Sequence, residues 1–319
     1  MTRLINSIGH FLLAVVVVFQ IGLFHRCTYQ DHLSAELALS RSTNHFDDTK
    51  ITPNSPDWKP VYVYRGGPPL VPERRWNGQV EQDKLISLLT KNMTNGFFVD
   101  LAANGAEHLS NTLSLERHFN WKGLCIEANP VYWNELGRFR SCTVLGAVIG
   151  KQANEQILFA MAGPMGGITG TESTETEERY TAQLENTFET FNVPKKIDYF
   201  SLDVEGAEEF IMDAFPFDRY QIRFLTVERP SPNLTLKLAG HGYRRIIKLA
   251  FFGEILFVHE SEMPIDMAII DRYCADSGGK YCGEKDFLLG FRLSLSAMRK
   301  ELNRVNASRH ATRQRVNPS

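Results

Sequence analysis

The segment 97–129 constrains the fold more than any other part of the chain. It opens with a short apolar run that ends at Asp100, which is typical of a buried parallel strand. A turn of small residues and a helical segment follow, and a second apolar run ends at Glu127. This order predicts a βαβ unit in which an acid ends the second strand. Such a carboxylate, roughly 20 residues beyond the turn, can hold a nucleotide ribose because its two oxygens accept two hydroxyls.

The turn after the first predicted strand is a second constraint. Residues 102–106 are small, and Asn104 and Gly105 can both adopt positive φ. Ser110 is a suitable N-cap for a helix over 111–119. We therefore predict that backbone N–H groups of the turn and of the helix start face a polar or anionic group of a ligand.

The rest of the chain continues to alternate between predicted strands and helices. Helices are expected over 81–91 and 131–139, and a further helix is expected to open at 205–208. Strands are expected over 143–149, 156–161, 197–202, 224–227 and twice within 241–258. The Glu- and Thr-rich segment 172–189 is interpreted as a solvated acidic face. Ligands of open parallel sheets bind outside the carboxyl ends of the strands. Acids stand at several of these predicted ends, namely Asp100, Glu127, Asp203, Glu205 and Glu228.

A further segment that constrains the fold is 197–209, IDYFSLDVEGAEE. Together with FFVDLAAN, SNTLSLE, WKGLCIEANP, VLGAVIG and FLTVERP, it resembles the FkbM-type family of S-adenosylmethionine-dependent methyltransferases. The matching pieces occur in the family's order over roughly residues 80–260, and the DVEGAE block is the most specific of them. The resemblance implies an α/β, Rossmann-like methyltransferase fold. This fold has a mostly parallel seven-stranded sheet with an antiparallel edge strand and helices on both faces.

The resemblance also implies roles for residues of this chain. Asp100 and the turn around Asn104 would hold the amino-acid end of S-adenosylmethionine, and Glu127 its ribose. Ala147 and Val148, after the third strand, would flank the adenine. The cofactor-binding residues predicted in this way are Asp100, Ala102, Ala103, Asn104, Gly105, Glu127, Ala128, Ala147, Val148 and Asp203.

One departure from the family pattern concerns the turn. Where the family has D-x-G-A-N-x-G, this chain has Ala102 and Ala106 at the two outer glycine positions. A Cβ at either position takes room where the backbone should approach the cofactor closely. Gly105 can compensate for part of this loss, so cofactor binding is still expected.

Methyl transfer from a sulfonium to a hydroxyl is an in-line displacement that needs alignment and a base within hydrogen-bond reach. Asp203 is the leading candidate for this catalytic base, and Glu205 is the second. His108, in the turn after Gly105, is an alternative, although a surface or capping histidine is the more common finding in such a place. Clustered acids can also hold a divalent metal, but nothing in their spacing requires one, so no metal site is predicted.

The N-terminus predicts a membrane anchor. Residues 11–24 are almost continuously apolar, and Leu4, Ile5 and Ile8 extend the segment to roughly the 20 residues that a spanning helix needs. A cleaved signal peptide is the alternative, but no small-x-small cleavage site follows the apolar run. We expect a single-pass type II protein of the Golgi or another secretory-pathway membrane, with a lumenal domain. Its predicted parts are a cytosolic tip and signal anchor (1–28), a Pro-rich stem (29–80), the methyltransferase domain (81–262) and a C-terminal extension with a basic tail (263–319).

Cysteines and glycosylation sequons agree with a lumenal domain. Cys274 and Cys282 bracket a Gly-Gly loop, which suits a local disulfide in an oxidising compartment. Cys125 and Cys142 are either bridged or separately buried. Cys27 either pairs between chains or carries an acyl group. Three sequons fall in predicted loops or tails, at Asn92, Asn233 and Asn306.

The net charge and the expected compartment restrict the classes of molecule that can be the partner of this protein. The net charge of −2 argues against nucleic acid as the main partner, because that partner calls for a concentrated basic footprint. A lumenal enzyme of this kind would meet a saccharide or another hydroxyl-bearing acceptor. Two other functions stay open: a non-catalytic, Star-like membrane trafficking adaptor with a relaxed cofactor site, and a nucleotide-sugar-binding transferase. The sequence has no D-x-D motif of the glycosyltransferase kind, which argues against the transferase.

Overall fold

The structure is a computed structural model, in which residues 76–160, 176–277 and 282 are described in full and two short strands, 62–64 and 167–168, by their backbone. The predicted signal anchor, most of the predicted stem and the basic tail lie outside these described residues. Within the described part of the chain, no helix is both long enough and apolar enough to cross a membrane.

The described residues form twelve strands and seven α-helices, with two short 3₁₀ turns. In chain order these are β1 (Tyr62–Tyr64), α1 (Gln82–Leu89), β2 (Phe97–Leu101), α2 (Leu113–Phe119), β3 (Lys122–Glu127), a 3₁₀ turn (Pro130–Tyr132), α3 (Trp133–Phe139), β4 (Thr143–Gly146), β5 (Val148–Gly150), β6 (Gln156–Ala160), β7 (Gly167–Ile168), β8 (Thr176–Gln183), α4 (Leu184–Thr190), β9 (Lys196–Leu202), α5 (Glu208–Asp213), β10 (Gln221–Glu228), α6 (Pro232–Gly240), β11 (Tyr243–Lys248), β12 (Glu254–His259), a 3₁₀ turn (Glu260–Glu262) and α7 (Met267–Asp276).

Eight of these strands form the main sheet, in the order β1-β4-β3-β2-β9-β10-β12-β11. The pairs from β4 through β10 are parallel. In contrast, β12 runs antiparallel to both β10 and β11, and β1 runs antiparallel to β4. The predicted, mostly parallel α/β sheet is therefore confirmed. Chain order reverses between β2 and β9, and ligands of open α/β sheets bind at such a switch point.

Two details of the main sheet differ from the prediction. The short strand β1 comes from the predicted stem and pairs with β4 at one edge, so the sheet has eight strands rather than seven. The expected antiparallel edge strand is present as β1, and a second antiparallel strand, β12, lies inside the sheet between β10 and β11. The turn of the β11–β12 hairpin is made possible by Gly253, whose φ is +117°.

A second, four-stranded sheet has the order β5-β8-β6-β7. The predicted strand over 143–149 is in fact two strands, β4 and β5, which belong to different sheets. Between them, the Ala147 N–H donates to the carbonyl of Glu127 at 3.1 Å, and the chain then leaves the main sheet. Glu177 and Glu178 of β8 are exposed, as expected for an acidic face, but the strand itself was not predicted.

The core lies on both faces of the main sheet, as the sequence predicts. One face packs Val99 and Phe200 against apolar side chains of α4, α5 and α6, such as Phe188. The other face packs Phe98 against side chains of α1, α2, α3 and α7, such as Tyr273. The helix α7, which falls in the predicted C-terminal extension, therefore contributes to this core.

Two helices begin later than predicted. Helix α2 begins at Leu113 rather than at 111, and the Ser110 Oγ still accepts the Leu113 N–H at 3.2 Å. Helix α5 begins at Glu208 because Glu205 and Gly206 both adopt positive φ, which a right-handed helix excludes.

Two disulfides link the described cysteines. Cys274 and Cys282 are bonded, as predicted, and Cys125 is bonded to Cys142, which resolves the alternative that the sequence left open. The second bond ties β3 to the residue that precedes β4. The sequon residues Asn92 and Asn233 are both exposed, but Asn233 lies in the first turn of α6 rather than in a loop.

Candidate functional site

An open cleft lies at the carboxyl ends of β2, β3 and β9, and it therefore occupies the switch point of the main sheet. Its volume is about 700 Å³, counted with the solvent in its mouth. The cleft is lined by Leu101, Ala102, Asn104, Ile126, Glu127, Ala128, Asn129, Tyr132, Ala147, Val148, Ile149, Phe159, Asp203, Val204, Glu205, Ala207 and Ile211.

The turn after β2 forms one wall of the cleft with an unusual backbone. Ala102 has a φ of +66° and Asn104 a φ of +56°, whereas Gly105 is not in the positive-φ region. The left-handed region costs a residue with a Cβ about 1–2 kcal/mol, and glycine avoids this cost. The conformation thus accounts for the glycine expected at position 102. Ala106, by contrast, is packed in the core, with 1% of its surface exposed.

The N–H groups of this turn are already bonded within the protein. Ala102 and Ala103 donate to the Ile126 carbonyl. The next three N–H groups donate to side chains: Asn104 to Glu127 Oε2 at 2.8 Å, Gly105 to Asn104 Oδ1 at 2.8 Å, and Ala106 to Glu135 Oε1 at 3.1 Å. We expected such N–H groups to face a polar or anionic group of a ligand, whereas those of residues 102–106 all bond to groups of the protein.

Glu127 ends β3 and lies in the wall of the cleft, as predicted. Its two oxygens accept N–H groups from Asn104, at 2.8 Å, and from Asn129, at 2.7 Å. Burial raises the pKa of Glu127 to about 7, and these hydrogen bonds oppose the rise. A third N–H group, that of Ala128, also bonds to this carboxylate, so one of the four acceptor positions of its two oxygens remains for a donor from a ligand.

Apolar residues line the cleft next to Glu127. Ala147 and Val148 were predicted to do so, and both are buried. Ile149 and Phe159 complete this apolar slot, but the sequence did not single them out. Phe159 belongs to β6 and reaches the cleft through the second sheet, in which β5 and β6 both pair with β8.

The structure does not bring all predicted site residues to the cleft. Ala102, Asn104, Ala128, Asp203 and Glu205 line it together with Glu127, Ala147 and Val148. Asp100, Ala103, Gly105 and the alternative base His108 are not among its lining residues.

Asp100 shows why a strand residue can miss the cleft. Successive side chains of a strand point to opposite faces, so Leu101 faces the cleft and Asp100 faces away. Its Oδ2 accepts a hydrogen bond from Thr112 Oγ1 at 2.6 Å, near the buried Arg140. We therefore correct its predicted role as a cofactor contact.

A carboxylate cluster, formed by Asp203, Glu208 and Glu228, adjoins the cleft through Asp203. One oxygen from each residue lies within 4.8 Å of the others. Burial, followed by the charges of Glu254 and Glu228, raises the pKa of Asp203 to about 9. Glu205 lines the cleft beside the cluster and forms an ion pair with Arg229, which also pairs with Glu228.

Comparisons with known proteins give little further information. No model of a protein family matches the chain, and no curated protein sequence matches it. Among solved structures, the chain is similar to a precorrin-6y C5,15-methyltransferase from Geobacter metallireducens, with 12% identity and a TM-score of 0.34. The match covers 59% of this chain and 91% of the other.

Proposed function

We propose that the protein is an S-adenosylmethionine-dependent methyltransferase that methylates a hydroxyl group, with a saccharide or glycan as the acceptor. The observation that carries this proposal is the charge of the cleft at the switch point. The cleft combines a ribose-type acid and an apolar slot with an excess of carboxylates, and its turn has no free N–H donor. This combination favours a nucleoside ligand that carries positive charge.

The first half of the cleft fits the nucleoside part of the cofactor. Glu127 keeps an acceptor position for a hydroxyl of a ribose, because three N–H groups use three of the four positions on its carboxylate. The neighbouring apolar slot, with Val148 and Phe159, suits the faces of an adenine ring.

The turn argues against ligands that carry a pyrophosphate. Such ligands are held by free backbone N–H groups at a turn and a helix start. Here the N–H groups of residues 102–106 are all bonded within the protein, and α2 begins only at Leu113. Negative charge from Glu205 would also repel phosphate, and a phosphate would oppose the ionisation of Asp203. These two points disfavour a dinucleotide and a nucleotide sugar.

S-Adenosylmethionine would supply an electrophilic methyl group on a positively charged sulfur, together with an ammonium group. Asp203 and Glu205 line the cleft near its acid-rich end and are the candidates for the catalytic base. With a pKa of about 9, Asp203 holds a proton at neutral pH in the protein alone. A positive charge in the cleft would favour its ionised form. We therefore keep Asp203 as the proposed base of the loaded enzyme and Glu205 as the second candidate.

The proposal includes a lumenal domain on a type II signal anchor in the secretory pathway. Two disulfides support an oxidising compartment, because such bonds are rare in the cytosol. The exposure of Asn92 and Asn233 is compatible with glycosylation. Endoglycosidase treatment should increase the gel mobility of the protein, and Cys274 and Cys282 should resist alkylation before reduction. Unchanged mobility together with freely alkylated thiols would place the domain in the cytosol.

Calorimetry on the purified full chain tests the cofactor directly. S-Adenosylmethionine should bind saturably, and a 2′-deoxy analogue should bind more weakly by about 1–3 kcal/mol because a buried Glu127 oxygen then lacks its donor. Changing the ligand is preferable to Glu127→Ala, since Glu127 also holds the N–H groups of Asn104 and Asn129. A uridine diphosphate sugar should not bind. Binding of that sugar, without binding of either adenosyl ligand, would contradict the proposal.

A membrane adaptor is the second candidate function. The observation that favours it is the left-handed Ala102, which puts a Cβ into the wall of the cleft. Comparing methylated glycans by mass spectrometry in cells with and without the protein separates the two functions. An enzyme predicts the loss of a methylated species, whereas an adaptor predicts an unchanged glycan profile and no binding of the cofactor.

A further inference from the structure

The turn of the β11–β12 hairpin lies at the same edge of the main sheet as the cleft. Because β12 runs antiparallel to β10, its first residue, Glu254, pairs with Glu228, the last residue of β10. The turn, residues 250–253, therefore stands beyond the carboxyl end of β10. Asp203 and Glu205, which follow the neighbouring parallel strand β9, line the cleft at this edge.

The residues of this turn are unusual for their position. The Gly253 N–H donates to the Ala250 carbonyl at 3.1 Å, so Phe251 and Phe252 are the two central residues of a β-turn, where small or polar residues predominate. Phe252 packs partly against the core, and its ring meets that of Phe251 edge to face, with centroids 5.4 Å apart. Phe251 itself is 91% exposed, more than any other large apolar residue in the described part of the chain. A native protein breaks such local preferences mainly at functional or strained sites.

Arg229 connects this turn to the cleft. Its N–H donates to the Gly253 carbonyl at 3.1 Å, and its Nη2 binds the carboxylates of Glu205 and Glu228. Arg229 and Glu205 have φ values of +48° and +53°, which are uncommon for residues with a Cβ. Strained backbone of this kind persists where the surrounding structure imposes it, and it is concentrated at active sites and ligand clamps.

Glu205, Arg229 and Phe251 together form a rim beside the cleft that can both donate and accept hydrogen bonds. The Arg229 side chain is 50% exposed, and both of its ion pairs with described residues use Nη2, so Nε and Nη1 keep N–H groups for a ligand. Arg229 bonds to Oε2 of Glu205, which leaves further acceptor positions on that carboxylate. One cation stands between two carboxylates here, so the rim offers no excess of positive charge to an anionic ligand.

We propose that this rim is the acceptor subsite and that it binds a neutral pyranose, with Phe251 under one face of the sugar ring. The C–H groups on that face are weakly positive and pack against the negative face of an aromatic ring. Neighbouring hydroxyls of a sugar each donate and accept a hydrogen bond, which matches the pair of Arg229 and Glu205. The inference rests on the proposed function for the sugar's role as methyl acceptor, and it identifies the residues that hold the sugar.

Saturation-transfer difference NMR on the purified full chain tests this subsite. The probes are the methyl glycosides of glucose, galactose, mannose, fucose and N-acetylglucosamine, with methyl glucuronide as the anionic probe. At least one neutral glycoside should bind, and the protons of one ring face should receive the most saturation. Phe251→Ala should weaken that binding about fivefold, whereas Phe251→Trp should retain it, because an indole also stacks on a sugar. The matched control is Leu158→Ala, which removes an exposed apolar side chain of β6 and should leave binding unchanged. No neutral glycoside bound, tighter binding of the glucuronide, or equal binding by all variants would overturn the proposal.

A second variant and a second titration complete the test. Arg229→Lys keeps the positive charge but lacks the planar fork of N–H groups, and it should weaken binding of the same glycoside about tenfold. Unchanged binding would overturn the role of Arg229. Calorimetry of the wild type with S-adenosylmethionine separates this inference from the proposed function. Cofactor binding without glycoside binding would contradict the subsite alone, whereas Phe251-dependent glycoside binding without cofactor binding would contradict methyl transfer and leave a saccharide site.

Discussion

Two groups of buried acids differ in how the protein offsets the free-energy cost of burying their carboxylates. In the arginine network, formed by Asp100, Thr112, Glu116 and Arg140, every carboxylate has donors. Arg140 is wholly buried and bonds to Glu116 and to Thr112, which in turn donates to Asp100. In the carboxylate cluster, three acids approach one another instead, and one Asp203 oxygen has no donor among the described residues.

The difference separates a structural use of buried charge from a functional one. The arginine network is complete without a ligand, because its charges and hydrogen bonds are satisfied within the protein. The carboxylate cluster becomes complete only when a proton or another positive charge arrives. Two regions with similar acid content therefore predict opposite responses to the same substitutions.

The largest expected change in stability follows from the loss of the guanidinium of the arginine network. Arg140→Met should lower the free energy of unfolding by about 3–5 kcal/mol, because it leaves Glu116 buried without its partner. Denaturant unfolding measures this change. Arg219→Ala, which removes two ion pairs at the surface, is the control and should have little effect. Similar losses for both variants would show that the network contributes no more than a surface pair.

Replacing a carboxylate by an amide should change the free energy of unfolding in opposite directions in the two regions. Glu116→Gln should destabilise the protein by about 2–3 kcal/mol, since an NH₂ group would then face Arg140 or the N–H groups of Ser141 and Cys142. Asp203→Asn should stabilise the protein by about 1–3 kcal/mol, because it removes a largely buried acid whose ionised form is opposed by burial and by the charges of Glu254 and Glu228. Unfolding at pH 8 without added ligand compares the two. Destabilisation by both changes would remove the distinction between the regions.

The cluster should also make stability depend on pH. Burial and neighbouring acids raise the pKa of Asp203 to about 9 and that of Glu254 to about 8. The folded state therefore binds more protons than the unfolded state between roughly pH 4 and 9, and the free energy of unfolding falls as pH rises through this range. In Asp203→Asn, this fall should be shallower. A stability that is flat or rising from pH 6 to 9 would contradict the pKa shifts.

The smallest expected effect compares the two alanines of the turn. Ala102→Gly should stabilise the protein by about 0.5–1 kcal/mol, because relief of the left-handed strain exceeds the extra entropy of the unfolded chain. Ala106→Gly should destabilise it by about 1–2 kcal/mol, since Ala106 is packed in the core. Thermal melting of the two variants measures the contrast. Stability changes of the same sign would mean that the backbone at Ala102 is unstrained.

The local sequence pattern predicted the strands that carry the site. It did not predict which of their side chains face the cleft. The first strand was expected to end at Asp100 and in fact continues to Leu101. Because strand side chains alternate between faces, this one residue decides that Leu101 and not Asp100 lines the cleft. Glu127, followed by a helix and ending an apolar run, was predicted correctly to line it.

Contacts between segments that are far apart in the chain could not be predicted from the sequence. Phe159 reaches the cleft through pairing of β6 with β8, and no local pattern shows this pairing. Glu208 was expected in the opening turn of a helix and is the first residue of α5, but its approach to Glu228 depends on how β9 and β10 are paired. Long-range pairing therefore explains most of what the prediction missed.

Proton release during cofactor binding tests the central claim that the cleft is completed by a positive charge. Calorimetry at pH 7.5, in two buffers of different ionisation enthalpy, counts the protons released by S-adenosylmethionine and by S-adenosylhomocysteine, whose sulfur is neutral. We predict that S-adenosylmethionine releases more protons, because its sulfonium lowers the pKa of Asp203, and that Asp203→Asn abolishes the difference. Equal proton release by both ligands, or no binding of either, would contradict the account.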